Sequence, residues 1–163
     1  MRTLRRILLR IVPAPILRSL LSVYHLSLSL LGAFLYGFPS RQLLVIGVTG
    51  TKGKSSTTEL LNAIFEEAGR KTAVLNSIRI KIGEQAVPNL MRMTMPGRFF
   101  IQKFLYDAVH AGCNVAIIEM TSEGARQHRH RFVDMDALVF TNLAPEHIES
   151  HGSYEAYANA KFQ

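Results

Sequence analysis

The chain has 163 residues and a formal charge of +7 at pH 7, enough for one α/β domain with a real core and little more. That charge is concentrated: residues 1–42 carry Arg2, Arg5, Arg6, Arg10, Arg18 and Arg41 and no acid, leaving 13 basic residues against 12 acidic ones in the rest. The near-neutral remainder argues against nucleic acid as a partner, and a single Cys113 excludes an internal disulfide and fits a reducing compartment.

Taken in order, the chain opens with a leader, residues 1–40, that differs in kind from the remaining residues. Met1 to Arg10 is arginine-rich and apolar, Pro13 and Pro15 break it, and Ile16 to Phe38 forms a long apolar run interrupted by Arg18 and His25. Its serines, glycines, histidine and arginine make it a weak membrane span, and no small-residue cleavage site marks it as a signal peptide. Three readings stay open for residues 1–38: an interfacial helix or hairpin on the inner leaflet of the cell membrane, a true anchor, or a soluble helix packed on the domain.

From residue 41 to 163 the pattern alternates as in βαβ units, predicting an α/β fold with a mostly parallel sheet flanked by helices. Leu43–Val48 reads as a buried strand and Ser55–Ala68 as a helix stopped by Gly69. Thr72–Leu75 is a second strand, and Ile78–Val87 an extended or hairpin excursion turning at Gly83. Gly97–Ala111 is a helix stopped by Gly112, Asn114–Glu119 a central strand and Ala137–Phe140 another. Ser153–Lys161 opens a helical pattern that runs to Gln163 without a stop signal, which predicts a domain truncated at its C-terminus.

Between the first strand and helix lies Gly47-Val48-Thr49-Gly50-Thr51-Lys52-Gly53-Lys54-Ser55-Ser56, the build of a phosphate cradle. Gly47, Gly50 and Gly53 allow tight turning, so that backbone N–H groups face an anion. The helix start adds the positive end of its dipole, Lys54 reaches terminal phosphates, and a hydroxyl beside it holds Mg²⁺. The common P-loop has glycine five residues before Gly53, where this chain has Val48, so the loop is a variant form.

Two further strands end in polar residues. Val115–Glu119 is an apolar strand closing on a carboxylate, the usual place for a Mg²⁺ ligand beside a P-loop. Phe140-Thr141-Asn142-Leu143-Ala144-Pro145-Glu146-His147 again runs from strand into loop. Open α/β sheets bind ligands at the carboxyl ends of their strands, so both sets fall at one edge. His151 reads as loop packing, and Cys113, behind a helix-ending glycine, as core.

Together, Gly50 to Ser56, Glu119-Met120-Thr121-Ser122, Thr141 to His147, His151-Gly152 and Ala160-Lys161 resemble the Mur ligase family, in its tripeptide-synthetase form, over residues 43–163. The resemblance implies an ATP-dependent, ADP-forming acid–amino-acid ligase of peptidoglycan precursor synthesis, working in the cytoplasm on a UDP-muramoyl peptide. It implies that Gly50, Thr51, Gly53, Lys54, Ser55, Ser56 and Asn142 hold ATP, and that Ser55, Glu119, His147 and Lys161 serve Mg²⁺. Lys161 would be carbamylated, and Lys54, His147 and Lys161 would carry catalysis. Thr94, Ser122 and Arg129 match substrate contacts. Three positions depart from the family pattern: Glu123 replaces the histidine of Ser-Ser-His, Met95 separates Thr94 from Pro96, and Glu146 stands where aspartate is common. The alternatives are a membrane-tethered relative, such as a poly-γ-glutamate synthetase or a MurT-type ligase, and a nucleotide-binding module without catalysis.

Overall fold

The computed structural model describes residues 13–91 and 93–144, with the side chains of residues 14, 15 and 18 left aside. The elements run in the order α1 (Ala14–Leu35), β1 (Leu44–Thr49), α2 (Lys54–Glu67), β2 (Thr72–Leu75), β3 (Arg79–Ile82) and β4 (Gln85–Pro88). After them come α3 (Arg98–His110), β5 (Val115–Glu119), α4 (Ser122–Arg126) and β6 (Ala137–Phe140). One six-stranded sheet has the order β4-β3-β2-β5-β1-β6. Its β2, β5, β1 and β6 are parallel, and β3 and β4 add an antiparallel hairpin.

Strands β1, β2 and β5 are short apolar runs because helices cover both of their faces, while β6, at the edge of the sheet, is largely exposed. Alternate residues feed two cores. Val45, Ala73, Leu75, Ala116 and Ile118 pack with Ile101, Phe104, Leu105 and Ala108 of α3. Ile46, Val48, Val74, Val115 and Ile117 pack with Leu61 and Phe65 of α2. Cys113 is a buried member of the α3-side core, its Sγ hydrogen donated to the Thr72 carbonyl at 3.3 Å. Gly83, at φ +57°, turns the β3–β4 hairpin as expected.

Two details differ from the sequence reading. Gly47 is not part of the turn: it pairs in mid-strand with Ile118 of β5, and a Cβ there would press on the sulfurs of Met120 and Met135. Its missing side chain serves packing. The short helix α4 was not anticipated, since five residues carry too little periodicity to read. Thr121 caps it, its Oγ1 accepting from the Gly124 N–H at 3.0 Å.

The described part of the leader forms α1, which lies against α3. This packing fits the reading of a helix packed on the domain and leaves the interfacial reading open, and among the described residues no helix is long and apolar enough to cross a membrane. Its inner side is small and polar. Ser29 and Ala33 are buried, Gly32 lies against Phe99 and Gln102, and Ser22 and Ser29 bond to the side chain and carbonyl of His128 at 2.7 and 2.8 Å.

Candidate functional site

The carboxyl ends of β1, β5, β2 and β6 bring the expected residues to one edge. Strand β1 runs to Thr49, so Val48 is still a buried strand residue, paired with Glu119. The turn proper is Gly50 to Gly53, and Lys54 opens α2. This is why glycine is absent at position 48: the chain has not yet left the sheet. Gly53 caps the helix at φ +78°, a left-handed conformation that suits glycine. Gly50, at φ +144°, lies so close to β6 that a Cβ would collide with Thr141 Oγ1.

The loop after β6 holds the turn in shape. Asn142 accepts from the Thr51 N–H through its carbonyl and from the Lys52 N–H through Oδ1, both at 3.0 Å, and its side-chain amide donates to the Lys52 carbonyl at 2.9 Å. Thr141 Oγ1 donates to the same carbonyl at 2.7 Å. Thr51 Oγ1 accepts from the Ala144 N–H at 2.9 Å. Asn142 therefore acts on the glycine loop itself, as a clamp between two strand ends. The Lys54 ammonium donates to the Thr51 carbonyl at 2.9 Å, curled over the same loop. Ser56 lies in the first turn of α2.

Beside the loop, Glu119 is only 3% exposed. Its Oε2 accepts from Ser55 Oγ at 2.8 Å, from the Ser77 N–H at 3.0 Å and from Ser77 Oγ at 3.2 Å. The two serine hydroxyls are 2.8 Å apart. Among the described residues these donors are all neutral, and a buried carboxylate is costly without a cation. Hard oxygen ligands around a buried carboxylate fit Mg²⁺. Ser77 escaped the sequence reading; its signal is its place just past β2, the strand beside Glu119's own. Among the described residues no three His, Cys, Asp or Glu side chains cluster for a metal. His147 and Lys161 lie outside the described residues, as does the helix expected at residues 153–161.

The expected substrate residues form a second group. Arg129 donates to the Met95 carbonyl and to Gln127 Oε1 (2.8 Å from Nη2), tying the chain after α4 to the Thr94–Met95 bend. Gln127 in turn donates to Glu123 at 2.6 Å, so the glutamate in the histidine position is engaged locally. Ser122 is buried at the start of α4. Arg98 and Arg129 are held below the usual guanidinium pKa, first by burial, and both stay charged. His25 and His128 are likewise lowered by burial and neighbouring arginines. His130 is lowered to about 4, first by burial and then by the charge of Arg131; its ring borders an apolar cleft formed with Met95, Ile101, Met120 and Met135.

A mainly parallel sheet, a glycine turn into a helix and a buried carboxylate at the same edge define an α/β domain of the phosphate-binding-loop class. Residues 48–163 match the Mur ligase middle domain, and the chain belongs to that family. It is 38% identical to a UDP-N-acetylmuramyl-tripeptide synthetase of Roseiflexus sp. (strain RS-1), over 92% of this chain and 30% of that protein. It is also 38% identical to a UDP-N-acetylmuramoyl-L-alanyl-D-glutamate--2,6-diaminopimelate ligase of Bacillus velezensis, over 83% of this chain and 27% of that one. A solved structure of a ligase with the latter name superposes with a TM-score of 0.63 at 32% identity, covering 73% of this chain and 23% of the other. The chain thus spans less than a third of the length of these relatives. The Roseiflexus match is longer than residues 43–163, so the likeness reaches back into the leader, which the sequence motifs alone had left outside it.

Proposed function

We propose that this chain supplies the ATP-binding part of an ADP-forming acid–amino-acid ligase of peptidoglycan precursor synthesis, acting in the cytoplasm on a UDP-muramoyl peptide. The observation that carries it is the buried Glu119 carboxylate, joined to Ser55 and Ser77 at the foot of a glycine loop. Gly50, Thr51 and Gly53, with the start of α2, would cradle the β- and γ-phosphates, and Lys54 would trade its bond to the Thr51 carbonyl for a phosphate oxygen. Asn142 keeps the loop in shape for that exchange. Ser55 and Glu119, with His147 and a carbamylated Lys161, would hold Mg²⁺, which neutralises charge on the phosphates.

The reaction needs positioning more than a protein nucleophile. A substrate carboxylate oxygen attacks the γ-phosphorus, the bond to ADP breaks and an acyl phosphate forms. An amine then attacks the acyl carbon and inorganic phosphate leaves. Thr94, Ser122 and Arg129 would hold the muramoyl peptide, with Arg129 oriented by Gln127.

Titration of the 163-residue chain with a fluorescent ATP analogue tests the reading. The expected result is weak binding that requires Mg²⁺ and is lost in Lys54→Ala. Binding indifferent to both would overturn it. Amide formation from UDP-muramoyl dipeptide by the same chain should be poor, and Lys161→Ala with and without added short carboxylates probes the carbamate.

A further inference from the structure

Helix α1 is built inside out. Its protein-facing side is Ser22, Ser29, Gly32 and Ala33, while its solvent side displays Leu20, Leu30, Leu31 and Phe34, the last 71% exposed. At about 100° per residue the exposed large apolar side chains from Leu20 to Leu35 sweep more than half of the helix circumference. A helix buried for its own hydrophobicity would turn the opposite side inward. A continuous apolar stripe of this kind marks a surface that something else covers.

The geometry points to an anionic lipid bilayer as that occupant, with α1 lying along the membrane rather than through it. Charge complementarity selects the bilayer. Residues 1–42 carry six arginines and no acid, a segment drawn to an anionic leaflet. A second copy of this chain would instead bring two such basic segments together. Spanning is disfavoured because the inner side of α1 is bonded to the body at His128, and no described helix is long and apolar enough to cross. α1 sits on the α3 side of the sheet, and α2 covers the opposite face. Docking would therefore leave the glycine-loop helix on the side away from lipid. This inference stands apart from the ligase reading, since it uses no residue of the phosphate site.

The test is co-sedimentation of the full chain with phosphatidylcholine vesicles with and without about 30% phosphatidylglycerol. The expected result is roughly tenfold or stronger partition onto the anionic vesicles, weakened by salt. The double variant Leu30→Glu/Phe34→Glu, altered only at exposed positions, should lose about tenfold or more. Phe34→Trp, a conservative change, should be quenched by lipids brominated in their acyl chains. Three outcomes would overturn the proposal: no binding to anionic vesicles, a concentration-dependent dimer that hides the introduced indole without lipid, or vesicle binding that the glutamates leave unchanged.

Discussion

On the β1 side of the sheet edge, the glycine loop is fixed by the strand end beside it: Asn142 and Thr141 close on the Thr51 and Lys52 backbone through four hydrogen bonds at 3.0 Å or less, three of them made by their side chains. On the α3 side, the Thr94 bend is held by side chains, with Arg129 reaching the Met95 carbonyl and Gln127. On the proposed function, the first group would meet what every nucleotide shares, a run of phosphates, and backbone N–H groups suffice for that. The second would then have to distinguish one acceptor from another, which takes particular side chains. It is in this second group that Met95 and Glu123 depart from the family pattern.

The largest effect should come from Gly50→Ala, which attacks the glycine loop directly. The new Cβ would meet Thr141 Oγ1 at a φ that alanine adopts only under strain. The expected loss is about 3 kcal/mol of stability, the size of a severe backbone conflict, together with nucleotide binding. Denaturant titration and fluorescent-ATP binding read both, and a fully stable, binding-competent variant would show that the clamp yields. Next, Glu119→Gln keeps the shape but removes the charge. Mg²⁺-dependent nucleotide affinity should fall by roughly 10- to 100-fold, with the melting temperature unchanged or raised, because a buried charge has been removed.

Acidity should act first on the group around Met95 and Arg129. His130 has a folded pKa of about 4 against about 6.5 unfolded, so the unfolded chain binds more protons below about pH 6.5. Stability is fully present above that pH and declines as pH falls toward 4. His25 and His128, also lowered, act with the same sign. Discounted for partial solvation, the loss is on the order of 2 kcal/mol. Glu59 and Glu66, depressed by their bonds to Arg79 and Lys81, respond only below pH 4.5. The window from about pH 6.5 to about 5 therefore isolates the histidines, and His130→Gln should flatten the denaturation midpoint across it.

What was legible in the sequence divides along the same line. Strands β1, β2 and β5 were evident because burial on two faces leaves uninterrupted apolar runs, β6 because it is a short apolar run although it lies largely exposed at the sheet edge, and the glycine loop because its turn demands glycine. Ser77 was not legible, since a serine after a strand looks like any loop serine until the sheet order puts β2 beside β5. The inner face of α1 was hidden for a related reason. Periodicity tells which side of a helix is apolar, but only the neighbour decides which side is buried, and here the neighbour took the serines.

Ser77 supplies the smallest and most discriminating test of the contrast. Its backbone N–H and its hydroxyl both reach Glu119 Oε2, and the hydroxyl also meets Ser55 Oγ. Ser77→Ala keeps the first contact and removes the other two, so the carboxylate stays oriented while one hydroxyl bond to a charged group is lost, worth about 1–2 kcal/mol. Mg²⁺·ATP affinity should fall roughly five- to thirtyfold, as those energies imply, with metal-free nucleotide binding unchanged. Ser77→Thr, which retains the hydroxyl, should restore it. If alanine lowers binding equally with and without Mg²⁺, Ser77 shapes the phosphate cradle rather than the carboxylate, and the glycine-loop group extends as far as β2.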